Sequence, residues 1–326
     1  MKILIVKLGA LGDIINTFPL ACHLYDKLNA EISWISEPLG FPLVSNHRAV
    51  SEVFLFDKKN KKKSYLKIIK LLKEKKFDFV FDLQRILKSA AFTIKAKSHR
   101  KITFDKKRCK ELTWLLPYEK IAPKDHDSNH MLNQYLEFSD YINAGLPENI
   151  DWSIPEFNSE KIILPKKYIV LNTGATKSEN KWFRRYFAKL SDFISTQTDY
   201  TPILSGGTED INFAEYIYEL CKKKPINLTG KTNLMQLSEL LKKADFIVSS
   251  DTGPMHLGVA HGVKTIGLFG PSNPVRTGPF YGKIITRKDL HSIKKRKSKE
   301  SMDISPERVF KNIFTQWKEK TAAYVF

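Results

Sequence analysis

One stretch of this chain restricts its fold more than any other. An apolar run at residues 246–248 passes through small polar residues into Asp251-Thr252-Gly253-Pro254. A short helical pattern follows, then a second apolar run at 265–269 that ends in Gly270-Pro271. The order is strand, glycine-containing turn, helix, strand. It places exposed backbone N–H groups at a helix start, where the helix dipole adds roughly half a positive charge. The segment therefore predicts a phosphate site, for a nucleotide or nucleotide sugar, that works without a metal.

The same alternation runs the length of the chain. In the first half, strands are predicted at 3–6, 31–35, 52–56, 79–81 and 101–104, with helices at 14–28, 64–75, 86–95 and 129–144. Residues 146–165 read as a linker containing Pro147, Pro155 and Pro165. Beyond it, strands are predicted at 168–172, 202–205, 226–228, 246–248 and 265–269, and helices at 184–196, 211–223, 234–242 and 306–317. Thr232 is the expected N-cap of the third of these helices, with Gln236 and Glu239 following. Alternating strands and helices imply parallel sheets covered on both faces. The expected architecture is two Rossmann-like doubly wound domains, 1–158 and 159–326, with ligands at the carboxyl ends of the strands, in a cleft between the domains.

A length of 326 residues suits two such domains. No apolar run nears the ~20 residues that span a bilayer, and the opening Met1-Lys2-Ile3-Leu4-Ile5-Val6 is too short for a signal peptide. Cys22, Cys109 and Cys221 are odd in number and widely spaced, which suggests neither a disulfide framework nor a zinc knuckle. The reading is cytoplasmic. Net charge is +19, from 54 basic and 35 acidic residues, with lysine runs at 58–63, 73–76 and 294–299. Such a balance suits nucleic acid, an anionic membrane surface or a phosphorylated substrate, or else reflects lysine-rich solvated helix faces. Nucleic acid fits least, because aromatic residues do not interleave with the basic runs.

Four loops carry the candidate chemistry. After the first strand comes Lys7-Leu8-Gly9-Ala10-Leu11-Gly12-Asp13, which lacks both the dinucleotide fingerprint and the P-loop Lys-Ser/Thr. Asp13 either caps the helix or accepts a proton; an acid is a poor choice for binding phosphate. In the second half, Asn172-Thr173-Gly174-Ala175-Thr176-Lys177, with Lys181 a turn later, supplies hydroxyls and lysines suited to a diphosphate. Ser205-Gly206-Gly207-Thr208-Glu209-Asp210 reads as a tight turn in which Glu209 is a helix-start acid or a ligand to ribose or base. His256, beside the Asp251 turn, faces either a phosphate or the loop itself. Asp125-His126-Asp127 has the form of a metal-binding Asp-x-Asp but lies in a loop before a helix, and His126 and His130 have no cysteine partners for zinc.

Assembled, these residues resemble the ADP-heptose–lipopolysaccharide heptosyltransferases, glycosyltransferase family 9. The strongest match is Asp251-Thr252-Gly253-Pro254-Met255-His256 with Leu268-Phe269-Gly270-Pro271 and Arg276-Thr277-Gly278-Pro279. The opening strand with Leu11-Gly12-Asp13-Ile14-Ile15 also matches, as do Asp82-Leu83-Gln84 with Leu87-Lys88-Ser89-Ala90, and Phe104-Asp105 with Arg108 and Lys110-Glu111. The resemblance implies a GT-B fold, with an acceptor domain first and a donor domain second, whose last helix returns to the first domain. It implies inverting transfer of heptose from a nucleotide diphosphate to the inner core of lipopolysaccharide, with no metal and no other cofactor. By the same analogy Asp13 would be the general base. Thr173, Thr176, Lys177, Lys181, Glu209 and the residues Asp251 to His256 would bind the donor, ADP-heptose. Gly12, Lys88, Arg108 and Lys110 would face the acceptor, a lipid A–Kdo glycolipid, at the cytoplasmic face of the inner membrane, where the enzyme would be peripheral.

The chain departs from the family in three places. The family usually has Lys-x-Trp-Pro in the donor loop, whereas here Asn180-Lys181-Trp182-Phe183 sets the lysine beside the tryptophan, leaving both Lys177 and Lys181 as candidates for the diphosphate. Arg85 stands where many members have glycine, and residues 291–299 replace a cysteine cluster. Two rival readings follow: a transferase using another nucleotide sugar, such as a UDP-hexosamine, and a basic polyanion-binding protein without catalysis.

Overall fold

The computed structural model describes residues 1–122, 129–157, 162–175, 177–287, 299–315, 317 and 322–325. They form two compact units, Met1–Pro155 and Glu156–Phe326. In the first, β1 (Lys2–Val6) leads through α1 (Leu11–Ile15) and α2 (Phe18–Leu28) to β2 (Glu31–Ser36), and α3 (Phe41–Ser45) leads to β3 (Val50–Leu55). Then come α4 (Lys61–Glu74), β4 (Lys76–Asp82), α5 (Leu87–Lys95), β5 (Lys97–Phe104), β6 (Glu119–Ile121) and α6 (Met131–Tyr141). The six parallel strands lie in the order β3-β2-β1-β4-β5-β6.

The predicted single helix over 14–28 is broken, because Pro19 in the first turn of α2 has no N–H to give to the carbonyl four residues back. Alternate residues of β1 enter opposite faces of the sheet. Leu4 and Val6 join a cluster with Ile68, Leu72 and Phe92 beneath α4 and α5. On the other side Phe81 and Phe104 pack on Phe138 of α6, with ring centroids 5.2 and 4.9 Å apart. Both faces are covered, so β1 reads as a continuous apolar run rather than an alternation.

The start of the predicted linker is docked on this unit. His47 bonds the Trp152 carbonyl at 3.0 Å and Arg48 pairs with Asp151 at 2.8 Å, while Trp152 is buried.

The second unit repeats the plan. It runs β7 (Tyr168–Asn172), α7 (Arg184–Gln197), β8 (Thr201–Ser205), α8 (Ile211–Leu220), β9 (Ile226–Asn227), α9 (Leu234–Lys242), β10 (Phe246–Ser250) and α10 (Gly253–Ala260). After these come β11 (Lys264–Phe269), α11 (Pro274–Thr277), β12 (Gly282–Thr286), α12 (Pro306–Phe314) and β13 (Ala322–Val325). Its seven strands are parallel in the order β13-β12-β11-β10-β7-β8-β9. The chain is thus α/β and doubly wound in both halves, the pair of Rossmann-like units of which GT-B folds are made.

Asn233, not Thr232, caps α9, and its side chain exchanges bonds with Gln236 in a capping box. The fully buried Trp182 anchors the second core and donates to the Ile304 carbonyl at 2.9 Å. Within its own unit α12 lies on α7, with Phe310 against Phe193. Strands β6, β12 and β13 were not predicted: β6 has three residues, β12 follows Arg276-Thr277-Gly278-Pro279 closely, and β13 lies past the last predicted helix. Among the described residues no helix is long and apolar enough to cross a membrane.

Candidate active site

Each sheet has one place where its winding reverses. In the first unit β2 and β3 build away from β1 on one side and β4 to β6 on the other, so the crevice opens between the ends of β1 and β4. The loops leaving those strands are tied together by Gln84, whose Oε1 accepts from the N–H groups of Leu8 and Gly9 at 3.0 and 3.2 Å. Asp82 holds Gln84 in turn, accepting from the N–H groups of Gln84 and Arg85 at 3.2 Å each. Burial raises the Asp82 carboxyl to about 6, against the pull of Ser89 and those two N–H groups.

Asp13 stands in this crevice. It does not cap α1: the N-cap is Ala10, with no side-chain bond. The Asp13 Oδ2 instead accepts from Lys7 Nζ at 3.0 Å, and Oδ1 accepts from the Tyr135 hydroxyl at 3.1 Å. Burial works to raise its carboxyl, but the charges of Lys7 and Arg85 outweigh that and hold it at about 2. Lys7 is itself buried, which lowers its ammonium to about 8 even though Asp13 pulls the other way. Its Nζ also donates to the Leu83 carbonyl at 3.4 Å and lies 5.1 Å from the Tyr135 ring centroid. Asp13 keeps 25% of its side chain exposed while Lys7 keeps 1%. The ion pair thus faces outward through its carboxylate: an ionised acid, fixed from two sides, with room to receive a proton.

The acceptor candidates divide. Lys110 is exposed, and its charge acts on both Asp13 and Lys7. Lys88 pairs with Glu37 at 2.9 Å, and Glu37 also pairs with Lys58. All three line a cavity of about 500 Å³ that runs past Leu8 to Leu11 and Ile14. Gly12 is buried in α1 beside it. Arg108 belongs elsewhere. It is buried and bonds Asp105 at 2.9 Å, Glu137 at 2.6 Å and the Ile121 carbonyl at 2.5 Å, so its donors are spent inside the fold.

Arg85 has φ of +66°, in the left-handed region where an arginine costs roughly 1–2 kcal/mol more than glycine. Its guanidinium is buried over the Phe104 ring and donates to the Arg108 carbonyl at 3.2 Å. It brings a positive charge to bear on Asp13 from beneath, not from the solvent side.

In the second unit the winding reverses between β7 and β10. The two strand ends are joined there, as Asn172 Nδ2 donates to Ser249 Oγ at 2.9 Å and to Thr252 Oγ1 at 3.0 Å. The Thr252 hydroxyl is thereby engaged, and it does not cap α10 although Thr252 is the N-cap residue. Gly253 and Pro254 form the first turn, partly exposed. Asp251 accepts from Thr277 Oγ1 at 2.8 Å, which ties the loop to α11, and lies 3.8 Å from His256 Nε2. His256 is buried beneath the loop, and Met255 is a core residue packed with Phe269 and Ile284. His256 thus takes the loop-facing one of its two readings, whereas the Met255 side chain belongs to the core.

The loops after β7 and β8 approach closely enough to need glycine. A Cβ on Gly174 would lie 2.8 Å from Asp210 Oδ2, and one on Gly206 would lie 2.9 Å from Thr173 Oγ1. The buried acid of this turn is Asp210, which accepts from Lys181 Nζ at 2.5 Å and from the Gly207 N–H at 3.1 Å. Glu209 is exposed in the first turn of the 3₁₀ segment Thr208–Asp210. Thr173 is buried and donates to the Ser205 carbonyl at 3.0 Å. Lys177 is exposed, and Thr176 lies outside the described residues. So do Asp125-His126-Asp127, while His130 caps α6 through Nδ1. Among the described residues no group of three His, Cys, Asp or Glu side chains is placed to hold a metal ion.

Lys7, Tyr135, Gln84 and Glu37 were not singled out from the sequence. Lys7 carried a signal, a lysine closing a buried apolar strand directly before a glycine-containing loop. Tyr135 carried none, being one aromatic among several on an amphipathic helix.

The model of glycosyltransferase family 9 (heptosyltransferase) matches residues 65–304 of this chain. The lipopolysaccharide core heptosyltransferase OpsX of Haemophilus influenzae is 29% identical over 286 residues, covering 85% of this chain and 81% of that protein. A glycosyl transferase family 9 structure from Veillonella parvula superposes with a TM-score of 0.78 at 21% identity, covering 95% of each chain. The E. coli heptosyltransferase WaaC, solved with ADP, superposes at 0.76 and 20% identity over 95% of this chain and 98% of that one.

Proposed function

The chain belongs to glycosyltransferase family 9, the heptosyltransferases, and is a glycosyltransferase; from that premise we propose that it transfers heptose from ADP-heptose to the Kdo/heptose inner core of lipopolysaccharide, with inversion and without a metal. The observation that carries the chemistry is the Asp13 carboxylate, held ionised by Lys7, oriented by Tyr135 and still open to solvent. In one displacement the acceptor hydroxyl attacks the anomeric carbon as the bond to the diphosphate breaks, and its proton passes to Asp13. A carboxylate of this low basicity takes the proton as the new C–O bond forms and the oxygen becomes acidic.

The leaving diphosphate is met in the second unit by lysine, Lys177 or Lys181, and by the N–H groups that open α10 at Thr252-Gly253. Asp251 shapes that loop through Thr277. The E. coli neighbour's complex with ADP supports an adenosine diphosphate donor. The acceptor of this reading is a lipid A–Kdo glycolipid, which places the enzyme at the cytoplasmic face of the inner membrane, peripherally. Lys88, Lys110 and the cavity beside α1 are the proposed acceptor contacts in the first unit. The test is a transfer assay with ADP-heptose and a defined lipid A–Kdo acceptor, with and without EDTA. Transfer that survives EDTA is expected. Loss under EDTA, or turnover only with a UDP-hexosamine, would overturn the metal or donor assignment respectively.

A pH profile checks how the base is set. The charge of Lys7 lowers the Asp13 carboxyl, so removing it in Lys7→Met lets burial dominate and the carboxyl rises. A general base must be ionised, so the acid limb of kcat/KM moves upward. Wild type should show no such limb above about pH 5, where ordinary carboxylates are already ionised. Lys7→Met should show one, and identical profiles would remove Lys7 from this role.

A further inference from the structure

The layer that α4, α5 and the 3₁₀ turn Leu112–Leu115 lay over the first sheet has an outer face that joins many lysines to exposed aliphatic side chains. These elements are neighbours: α4 packs on α5, α5 packs on the turn, and Glu111 accepts from the Leu87 N–H at 2.6 Å. Six of the fourteen residues of α4 are lysine and one is acidic. Among those lysines Leu66 is 66% exposed, and on the turn Leu112 and Leu115 are 60% and 61% exposed. Leu87 and Ile94, one face of α5, are exposed between them. Lys106, Lys107, Lys110 and Lys120 surround the turn and are exposed too.

We propose that this face docks on an anionic lipid bilayer, its leucines entering the headgroup–acyl boundary and its lysines meeting the lipid charge. The charge complementarity is with an anionic surface. Single exposed leucines are ordinary, but five large aliphatic side chains set among lysines are the composition of an interfacial element. They also separate lipid from nucleic acid. Base stacking calls for exposed rings, whereas Trp114 and Tyr65 beside these leucines are half-buried, Trp114 with Lys106 Nζ 4.4 Å from its centroid.

The face leads to the site. Lys58 and Lys59, just before α4, and Lys88, in the first turn of α5, line the cavity beside α1. A glycolipid held in the bilayer could thus present its sugar at the edge of the surface that the protein lies on. The inference rests on the heptosyltransferase reading only for the lipid anchor of the acceptor; bilayer binding is measured without turnover.

The experiment is co-sedimentation of the full chain with phosphatidylcholine vesicles and with phosphatidylcholine–phosphatidylglycerol vesicles, for wild type, Leu112→Ser/Leu115→Ser and Lys62→Glu/Lys67→Glu. Wild type should bind the anionic vesicles, and each double variant should partition at least tenfold more weakly. Transfer to a deacylated, water-soluble acceptor should stay at the wild-type level in both, which shows that they fold. Leucine variants that sediment like wild type, or wild-type binding lost wholly at high salt, would reduce the face to a solvated lysine surface and overturn the proposal. So would displacement of the bound protein from vesicles by duplex DNA at equal charge concentration. If no variant or wild type transfers sugar, the functional reading fails while the vesicle result stands on its own.

Discussion

Replacing Asp13 by asparagine is expected to lower turnover by on the order of 10²–10⁴-fold, the range for a lost general base, while ADP affinity stays near that of wild type. The two effects separate because Asp13 belongs to the first unit and the proposed diphosphate contacts to the second. An asparagine keeps the shape, but it cannot take a proton, and its single amide oxygen accepts from the Tyr135 hydroxyl or from Lys7, not from both. It also turns an NH₂ group or a neutral oxygen toward the buried Lys7 ammonium, which then lacks its anion. The assay therefore needs a melting curve beside the steady-state rates and an ADP thermal shift. Near-normal turnover in a folded Asp13→Asn would sink the base assignment. Loss of ADP binding together with turnover would mean that the substitution had damaged more than the base.

A second large effect is expected at Arg108, with a different signature. The family resemblance would set this residue at the acceptor, which predicts a higher KM in Arg108→Ala and an unchanged melting point. The structure spends its guanidinium on Asp105, Glu137 and a carbonyl. Burial already pushes the Glu137 carboxyl up, and Arg108 opposes that. Removing one partner from such a buried network costs about 3–5 kcal/mol. The melting midpoint should fall by roughly 6–20 °C, given about 2–4 °C per kcal/mol at the size of one unit. A variant that melts like wild type but binds acceptor poorly would restore the acceptor role.

Arg108 shows why a site is only partly legible in a sequence. A basic residue in a matching motif is recognisable, but its direction is not, and the direction decides between a ligand contact and a girder. Met255 and His256 teach the same lesson. They follow the proposed phosphate-binding turn directly, yet adjacency in sequence does not set the direction in which a helical side chain leaves the axis, and these two are buried. Arg85 is the converse case. An added charge was visible at a position where glycine is usual, but only the positive φ explains the glycine, and only burial shows that the charge acts from below. Asn233 replaced Thr232 as the cap by one position, a distance that side-chain hydrogen bonds decide and apolar periodicity cannot.

By itself, the sequence determined the alternation of strands and helices, the division into two doubly wound halves and the loops that carry glycine, hydroxyl and acid. Local physics is enough for these, because periodicity, turn chemistry and strand ends are all written in adjacent residues. Only the tertiary structure decided which of those groups meet. Tyr135 reaches Asp13 across 122 positions, Gln84 ties the first loop across 76, and Asn172 joins Thr252 across 80. Each of these meetings takes place at or beside a point where a sheet reverses its winding. Strand order, which is a matter of packing over the whole unit, is what turns an aspartate near a helix start into a carboxylate held by a lysine and a tyrosine.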